Sequence, residues 1–351
     1  MTAAVLYGPH DLRIEQRLVP TPSEGEVLVR ILSVGVCGSD VHYYEHGRIG
    51  DFVVRSPLVL GHESSGQIVA VGKGVAPARL GQRVAIEPGE PCGRCPQCRG
   101  GRYNLCPSIR FHGTPPVDGT LSEFAAVNSE LAYAVPDEIS DNSAALIEPL
   151  SVGIWATRKA GIQIGSSLLI AGAGPIGLVT TKVARAVGAT RIAVTDVNRN
   201  RLSAALASGA TEIAVPGSDD AAGDFDAFID CSGSSAAIDA GVRSVRPAGS
   251  VVLVGMGADE LKLPLSVIQQ RELIITGTFR YANTWPTAIA LVASGRVSLD
   301  DLVTGEYGLA DVERALTAGR EPHSVKAIVR PALGNSGNDP RKSKGELQAA
   351  G

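Results

Sequence analysis

A stretch in the middle of this chain constrains its fold more than any other part. An apolar strand is predicted over 166–171, a glycine-rich loop over 172–177 and a helix over 178–187. A second strand follows at 191–196 and ends in an acidic residue. A glycine loop alone is weak evidence, but strand, loop, helix, strand and terminal acid in this order predict a dinucleotide-binding unit.

The residue types in this unit each have a physical reason. Gly172, Gly174 and Gly177 let the backbone approach a pyrophosphate, whose charge the N-terminus of the following helix attracts. Asp196 stands where a carboxylate accepts hydrogen bonds from the ribose hydroxyls. A 2′-phosphate would be repelled by that carboxylate, so the sequence predicts NAD rather than NADP as the cofactor.

Strands and helices continue to alternate beyond this unit. Apolar strands are predicted over 226–231, 249–255 and 273–277, which extends the unit to a doubly wound parallel sheet. Upstream, short alternating strands separated by Pro and Gly predict an irregular, mostly β domain up to about residue 136. A chain of 351 residues is too long for one hydrophobic core, so this α/β architecture is predicted to comprise two domains.

The most specific spacing belongs to four cysteines. Cys92, Cys95 and Cys98 are three residues apart, and Cys106 follows after seven further residues. Four thiolates with Gly and Pro between them form a closed tetrahedral zinc site, which leaves no coordination position for chemistry and predicts a structural role. A disulfide pair and an iron–sulfur cluster are the alternatives, and the spacing favours zinc over both.

A second candidate metal site combines a thiolate, an imidazole and a carboxylate. Cys37 opens one segment, and His62 and Glu63 follow Gly61 as sequence neighbours in another. Adjacent side chains on a strand point to opposite faces, so both reach one ion only if the backbone turns at Gly61. With an extended backbone, Glu63 would support a ligand from outside the coordination sphere. Taken alone, Cys37 and His62 would favour a buried structural role, but the rest of the chain favours a catalytic zinc.

Charge and composition narrow the partners and the compartment. The net charge is −4, with no basic block outside the last twenty residues, which disfavours a nucleic-acid partner. No run of eighteen apolar residues predicts a membrane span, and no signal peptide is predicted at the start. Four of the six cysteines stand at metal-ligand spacing, so a reducing, cytoplasmic compartment is predicted. The polar tail at 332–351 is predicted to be disordered.

Zinc ligands, a four-cysteine lobe and a dinucleotide unit, in this order, resemble the zinc-containing medium-chain dehydrogenases. The resemblance extends to about residue 331 and is closest to the sorbitol and xylitol dehydrogenases. The strings that carry it are Cys-Gly-Ser-Asp-Val-His-Tyr-Tyr at 37–44, Tyr-Asn-Leu-Cys at 103–106, Thr-Pro-Pro-Val-Asp-Gly at 114–119, Glu-Pro-Leu-Ser-Val at 148–152 and Phe-Arg-Tyr-Ala-Asn-Thr-Trp-Pro at 279–286.

The resemblance also implies a domain organisation. It comprises a GroES-like, β-rich catalytic domain at 1–152 with the structural zinc lobe at 90–107, a Rossmann NAD-binding domain at 153–281, and a return to the catalytic domain at 282–331. A homotetramer or a dimer with two zinc ions per subunit is expected.

Individual residues receive roles from the same resemblance. Cys37, His62 and Glu63 match the catalytic zinc ligands, and Glu148 matches a carboxylate that contacts the metal-bound water or ligates transiently. The residues that match the polyol contacts are Tyr43, Glu148, Arg280 and Tyr281. The residues that match the NAD site, besides the fingerprint glycines and Asp196, are Ile176, Arg201, Val254, Met256, Thr278 and Arg280.

The activity that the resemblance implies is oxidation of a secondary alcohol of a sugar alcohol to the ketose. Zinc lowers the pKa of the substrate hydroxyl, and NAD accepts the hydride. The proton leaves through a relay, for which Ser39 and His42 are candidates, although Glu148 with metal-bound water would do the same work. The small-molecule partner expected is therefore a polyol.

Two other functions are weighed against this one. A mono-alcohol or threonine dehydrogenase of the same family is disfavoured by the Glu-Pro-Leu string at 148–150 and by the Arg280-Tyr281 pair. A catalytically silent NAD-binding protein on this fold is disfavoured by the intact set of Cys37, His62 and Glu63.

Overall fold

The computed structural model describes residues 1–217 and 223–333. The tail predicted to be disordered lies outside the described residues, apart from Ala332 and Leu333. No helix in the described part of the chain is long and apolar enough to cross a membrane.

The described residues form short strands and helices that alternate unevenly along the chain. The strands are β1 (Thr2–Gly8), β2 (Asp11–Gln16), β3 (Glu26–Gly35), β4 (Arg48–Ile49), β5 (Phe52–Val53), β6 (Leu58–Val59), β7 (Glu63–Val71), β8 (Arg83–Ile86), β9 (Gly89–Glu90), β10 (Arg110–Phe111), β11 (Phe124–Asn128), β12 (Ala132–Ala134), β13 (Ser167–Ala171), β14 (Arg191–Thr195), β15 (Glu212–Ala214), β16 (Phe225–Asp230), β17 (Val245–Leu253), β18 (Ile274–Gly277), β19 (Val303–Tyr307) and β20 (Lys326–Val329). The α-helices are α1 (Gly38–His46), α2 (Pro96–Arg99), α3 (Asp141–Ala145), α4 (Ile147–Lys159), α5 (Pro175–Val187), α6 (Arg199–Ala207), α7 (Ser235–Arg243), α8 (Leu265–Arg271), α9 (Trp285–Ala293) and α10 (Val312–Thr317).

The largest sheet joins the first and last parts of the chain. Its order is β12-β8-β7-β3-β20-β19, with β11 also paired to β3. Alternate residues of β3, among them Val27, Val29 and Ile31, are buried in one hydrophobic core, as expected for a strand with one face on the core. β20 pairs antiparallel with β3, so a strand from late in the sequence lies in the same sheet as strands from the first part of the chain.

The second large sheet is parallel throughout. Its six strands lie in the order β15-β14-β13-β16-β17-β18, so the chain winds outward from β13 in both directions. The last four residues of β13, 168–171, form an unbroken apolar run and are all buried, as is typical of a strand covered by helices on both faces. The predicted fold class, an irregular β-rich domain plus a doubly wound parallel sheet, is confirmed.

The loop between β13 and α5 has the predicted glycine geometry. Gly172 has φ 95°, a left-handed conformation that favours glycine. A Cβ on Gly177 would lie 1.8 Å from the Gly172 carbonyl oxygen, so only glycine allows this close packing. The helix begins at Pro175, three residues before the predicted start, because proline at the first position fits helical geometry. The helix ends at Val187, and Gly188 follows it in the left-handed conformation with φ 99°.

The two sheets share part of their packing. One hydrophobic cluster includes Leu150 of α4, Leu178 of α5 and Ile328 of β20, so it draws on elements from both sides of the predicted boundary. The domain limits at 152, 281 and 331 stay predictions.

Candidate active site

The first part of the site is built at the N-terminus of α1. Cys37 is the N-cap residue of this helix, with φ −93° and ψ 154°. Asp40, buried in the first turn, accepts a hydrogen bond from the Cys37 backbone N–H at 3.0 Å and another from the Gly61 N–H at 2.9 Å. The Asp40 carboxylate therefore joins the two chain segments that carry the candidate ligands. Its position three residues after Cys37 is a capping-box spacing, which is the sequence signal that could have identified it.

The second part of the site depends on a turn at Gly61. Gly61 has φ 88°, and a Cβ there would lie 2.9 Å from side-chain atoms of Leu121 and Val34. Because the backbone turns at this glycine, His62 and Glu63 both reach the same place. The Cys37 thiol, the His62 imidazole and the Glu63 carboxylate have ligand atoms within 4.8 Å of one another.

The electrostatics of this cluster suit a cation. Burial lowers the pKa of His62, but the Asp40 carboxylate and the Cys37 thiolate outweigh burial, so the pKa lies well above its usual range. The Asp40 oxygen is 3.6 Å from His62 Nδ1 and orients the ring. A thiolate, an imidazole and a carboxylate form a donor set that fits zinc.

Glu63 has a second partner that the sequence interpretation missed. The Lys326 ammonium is 2.7 Å from Glu63 Oε1 and 2.6 Å from Oε2, and it also donates to the Val36 carbonyl at 2.8 Å. Lys326 and Glu63 are 3% and 1% exposed, so this ion pair is dry. The two roles predicted for Glu63, zinc ligand and support for a ligand, both stay predictions.

Glu148 on α4 lies beside the cluster. Burial raises its pKa to about 7, with His62 acting to lower the pKa and Glu63 to raise it. The Tyr281 hydroxyl faces this carboxylate without completing a well-aligned hydrogen bond. A carboxyl group with a pKa near neutrality can take up or release a proton at physiological pH.

The remaining predicted polyol contacts meet around Arg280. Its guanidinium stacks on Phe111, 3.6 Å from the ring centroid, and burial lowers its pKa to about 10. Tyr43 lies close enough to Arg280 for their charges to interact, and its own pKa is raised by burial. Arg280 Nη1 and the Tyr281 hydroxyl are buried, and in the part of the chain that the structure describes neither has a hydrogen-bond partner. The structure thus brings Tyr43, Glu148, Arg280 and Tyr281 together, and their role stays a prediction.

The proposed relay residues lie on α1. The His42 ring contacts His46 edge-to-face at 4.7 Å, and Ser39 lies half-buried in the first turn. Within residues 1–217 and 223–333, no hydrogen bond joins either side chain to Glu148. The relay through Ser39 and His42 stays a prediction.

The predicted cofactor residues line the carboxyl ends of the parallel strands. Asp196 follows β14, and its two oxygens accept hydrogen bonds from the Ala173 and Asn198 N–H groups at 2.7 Å each. This fixes the carboxylate at the glycine loop while each oxygen keeps a free lone pair. The other predicted cofactor residues occupy the loop, the first turn of α5, α6 or the segments that directly follow β17 and β18, namely Gly172, Gly174, Ile176, Gly177, Arg201, Val254, Met256, Thr278 and Arg280. Their cofactor contacts stay a prediction.

The four-cysteine lobe has the geometry of a closed metal site. The Cys95 and Cys98 sulfurs are 3.4 Å apart and those of Cys92 and Cys98 4.0 Å, close to the roughly 3.8 Å expected between thiolates around zinc. Cys106 completes the cluster. All six cysteines are free, so the disulfide alternative is wrong. The N–H groups of Arg94 and Cys95 lower the pKa of Cys92 to about 6, which favours a thiolate.

A cavity of about 730 Å³ lies elsewhere and shares no lining residue with either cluster. Charged side chains line it, and they pair with one another: Arg83 with Asp141 at 2.8 Å, and Arg330 with Asp141 at 3.6 Å. Because these charges already pair with one another, they give no sign of a ligand site in this cavity.

Comparisons with known proteins agree with this geometry. Residues 23–137 match the alcohol dehydrogenase GroES-like domain, and residues 175–294 match the zinc-binding dehydrogenase family. Sorbitol dehydrogenase of Bos taurus is 44% identical over 337 residues, 93% of this chain and 95% of the relative. The solved L-idonate 5-dehydrogenase of Escherichia coli has a TM-score of 0.89 at 31% identity, over 94% of this chain and 97% of its own. A solved Escherichia coli alcohol dehydrogenase complexed with NADH has a TM-score of 0.88 at 30% identity, covering 94% of this chain and 99% of its own.

Proposed function

Because the chain belongs to the zinc-binding dehydrogenases of the sorbitol dehydrogenase type, we propose that it oxidises one secondary alcohol of a sugar alcohol to the ketose. It is a zinc-dependent polyol dehydrogenase that uses NAD and acts on a small-molecule substrate. The proposal concerns which residues perform this reaction and what makes a polyol the preferred substrate.

The observation that carries the proposal is a pair of unpaired polar groups. Arg280 Nη1 and the Tyr281 hydroxyl are buried beside Glu148, and neither has a hydrogen-bond partner among the described residues. A buried donor without a partner costs about 1–3 kcal/mol, which a ligand that hydrogen-bonds to it restores. A sugar alcohol carries hydroxyls on the carbons next to the reacting one and can pair with both groups. A mono-alcohol cannot, so the site favours the polyol.

Cys37, His62 and Glu63 are the residues that would hold the catalytic metal. When bound, zinc supplies a Lewis acid that lowers the pKa of the substrate hydroxyl, while NAD takes up the hydride. The chain contributes the positions of the donors. Asp40 orients His62, and Lys326 balances the charge of Glu63.

Glu148 is the proposed acceptor of the hydroxyl proton. With a pKa of about 7, its carboxylate is present in a substantial fraction at neutral pH and can be protonated without a large cost. Ser39 and His42 remain the proposed alternative route, since α1 carries both next to the ligand Cys37.

The cofactor preference is proposed to rest on Asp196. Its carboxylate is fixed by two backbone N–H groups, so it cannot swing away from a ribose at the strand end. A 2′-phosphate there would face a fixed negative charge. We expect Asp196→Ala to reduce kcat/KM for NAD and thereby to lower the ratio of kcat/KM for NAD to that for NADP.

The proposed assembly is a homotetramer or dimer in a cytoplasmic compartment. Exposed apolar side chains lie on and near the edge strand β18, for example Ile274 and Leu265, and would be covered in an oligomer. The free state of all six cysteines supports a reducing compartment. Sedimentation analysis would give the number of subunits.

A substrate panel tests the proposal. We expect NAD-dependent oxidation of xylitol or sorbitol with kcat/KM well above that of ethanol or threonine. With NAD saturating, since Arg280 is also a proposed cofactor contact, Arg280→Met should lower kcat/KM for the polyol by about tenfold or more, because one charged hydrogen bond is lost, and should leave oxidation of propan-2-ol nearly unchanged. Arg243→Met is the control, since Arg243 pairs only with Asp239 on the surface of α7. Faster turnover of ethanol or threonine than of any polyol would contradict the proposal.

A further inference from the structure

The loop between β18 and α9 carries two of the proposed substrate contacts in an unfavourable backbone conformation. Arg280 and Asn283 both have φ 56°, in the left-handed region that non-glycine residues rarely adopt. A loop of this kind keeps its conformation only if surrounding contacts hold it. The position of Arg280 and Tyr281 therefore depends on what holds residues 279–283.

Three of the hydrogen bonds that hold this loop come from one short segment of the four-cysteine lobe, and a further one comes from Arg158 of α4, whose guanidinium donates to the Asn283 carbonyl at 2.9 Å. Asn104 Nδ2 donates to the Phe279 carbonyl at 2.8 Å. The Asn283 side chain donates to the Gly101 carbonyl at 2.8 Å, and its backbone N–H donates to the Tyr103 hydroxyl at 2.9 Å. The bonds thus lie on both sides of Arg280 and Tyr281.

The lobe segment is itself fixed from two directions. It lies between the candidate ligands Cys98 and Cys106, so the metal cluster constrains both of its ends. The Tyr103 hydroxyl also donates to Glu87 at 2.8 Å, and Glu87 directly follows β8 of the large sheet. Asn104 is 4% exposed, so its bond to Phe279 is shielded from water.

We propose that residues 101–104 of the lobe are a positioning element for the substrate loop, and that this element sets the affinity for the polyol. The inference deepens the proposed function and rests on it. A lobe that only stabilised the fold would not need to contact the loop on both sides of Arg280 and Tyr281. In this arrangement Asn104 and Tyr103 are positioning residues that act through Arg280 and Tyr281 without touching the substrate.

The test compares two variants with a control in the zinc-loaded protein. Asn104→Ala removes the bond to Phe279, and Asn283→Gly removes the bond to Gly101 while still allowing the left-handed conformation. Gln97→Ala is the control, because Gln97 bonds to Arg102 within the lobe and does not reach the loop. If Asn104→Ala fails to fold, Asn283→Gly carries the test.

Two readouts separate positioning from a general structural effect. Both test variants should raise KM for xylitol or sorbitol by about three- to tenfold, the typical effect of one lost hydrogen bond, with turnover of propan-2-ol at saturating NAD unchanged. Amide hydrogen exchange of 279–284 should also become faster in both variants, and not in Gln97→Ala.

The outcomes distinguish this inference from the proposed function. Unchanged polyol KM and unchanged exchange in both variants would overturn the inference, as would an equal loss for every substrate and for NAD. If the wild-type protein oxidised no polyol, the proposed function would fail, and the exchange rates alone would decide whether the lobe holds the loop.

Discussion

The two metal clusters of this chain are built in opposite ways. The four-cysteine lobe takes all its donors from residues 92–106, and its cysteines are partly buried, apart from Cys106, which is buried. The Cys37, His62 and Glu63 cluster takes its donors from two segments and needs a third, because Lys326 of β20 balances its charge while Asp40 of α1 joins the two donor segments. A closed four-thiolate site serves architecture, whereas a three-donor site keeps a position for substrate and must be supported from outside.

Two buried carboxylates make the same contrast. Glu63 faces the Lys326 ammonium, while the Glu87 side chain beside the lobe meets the hydroxyls of Tyr103 and Tyr133 and, among the described residues, no cation. Burial without a cation raises the pKa of Glu87 to about 7. The supported site therefore pairs its buried carboxylate with a cation, whereas the architectural region holds a buried carboxyl group whose pKa is raised.

Exchanging one cysteine for serine in each cluster should give the largest difference. Cys37→Ser should lower kcat by about a thousandfold or more, because a ligand of the reacting metal is lost, with little change in melting temperature. Cys95→Ser should instead lower the melting temperature by about 5 °C or more. Steady-state kinetics and calorimetry measure both. A fully stable but inactive Cys95→Ser protein would reverse the two assignments.

Removing the cation beside Glu63 tests how strongly the stability of the protein depends on the partner of this buried carboxylate. Lys326→Met leaves a dry, unpaired carboxylate and should lower the free energy of unfolding of the metal-free protein by about 3–5 kcal/mol. Zinc should reduce this loss, since it supplies another cation. Lys182→Met is the matched control: Lys182 is also buried, but its partner Asp301 is 46% exposed and stays solvated. Equal losses of unfolding free energy in the two variants, measured by denaturant unfolding, would contradict this expectation, because the buried Glu63–Lys326 pair would then contribute no more than the partly exposed one.

The pH dependence of the free energy of unfolding tests the raised pKa of Glu87, the buried carboxylate beside the lobe. Folded Glu87 keeps its proton up to about pH 7, whereas an unfolded glutamate loses it near 4.5. Its contribution to stability is complete below pH 4.5 and is lost as the pH rises through 7, a change of about 3 kcal/mol. Glu87→Gln should flatten this part of the stability curve, and Glu130→Gln on the surface should not. Parallel curves for wild type and Glu87→Gln would mean that Glu87 is ionised in the fold.

The features that the sequence predicted lie within short segments, whereas most of those that it missed are contacts between distant segments. The lobe and the dinucleotide unit were predictable because each has its defining residues within one short segment, from Cys92 to Cys106 or from Gly172 to Asp196. The fold class followed from the strand and helix order. Proline at the first helical position moved the start of α5 to Pro175, a local effect that hydrophobic periodicity does not detect.

The supports of the catalytic cluster could not be predicted in the same way. Lys326 lies 263 residues from Glu63, and β20 brings it there only because that strand pairs with β3. Phe111 under Arg280 likewise joins two distant segments, and a lone aromatic residue carries no signal of its partner. Side-chain pairs of this kind are set by tertiary packing, whereas Asp40 could be read from its capping position.

The zinc content of the purified protein tests the account of two clusters most directly. Elemental analysis of wild type should give two zinc ions per subunit, since two separate donor sets are present. Cys37→Ser should then retain one zinc with a normal melting temperature and no turnover. One zinc per subunit in a fully active wild-type protein would contradict the account, because one of the two clusters would then hold no metal.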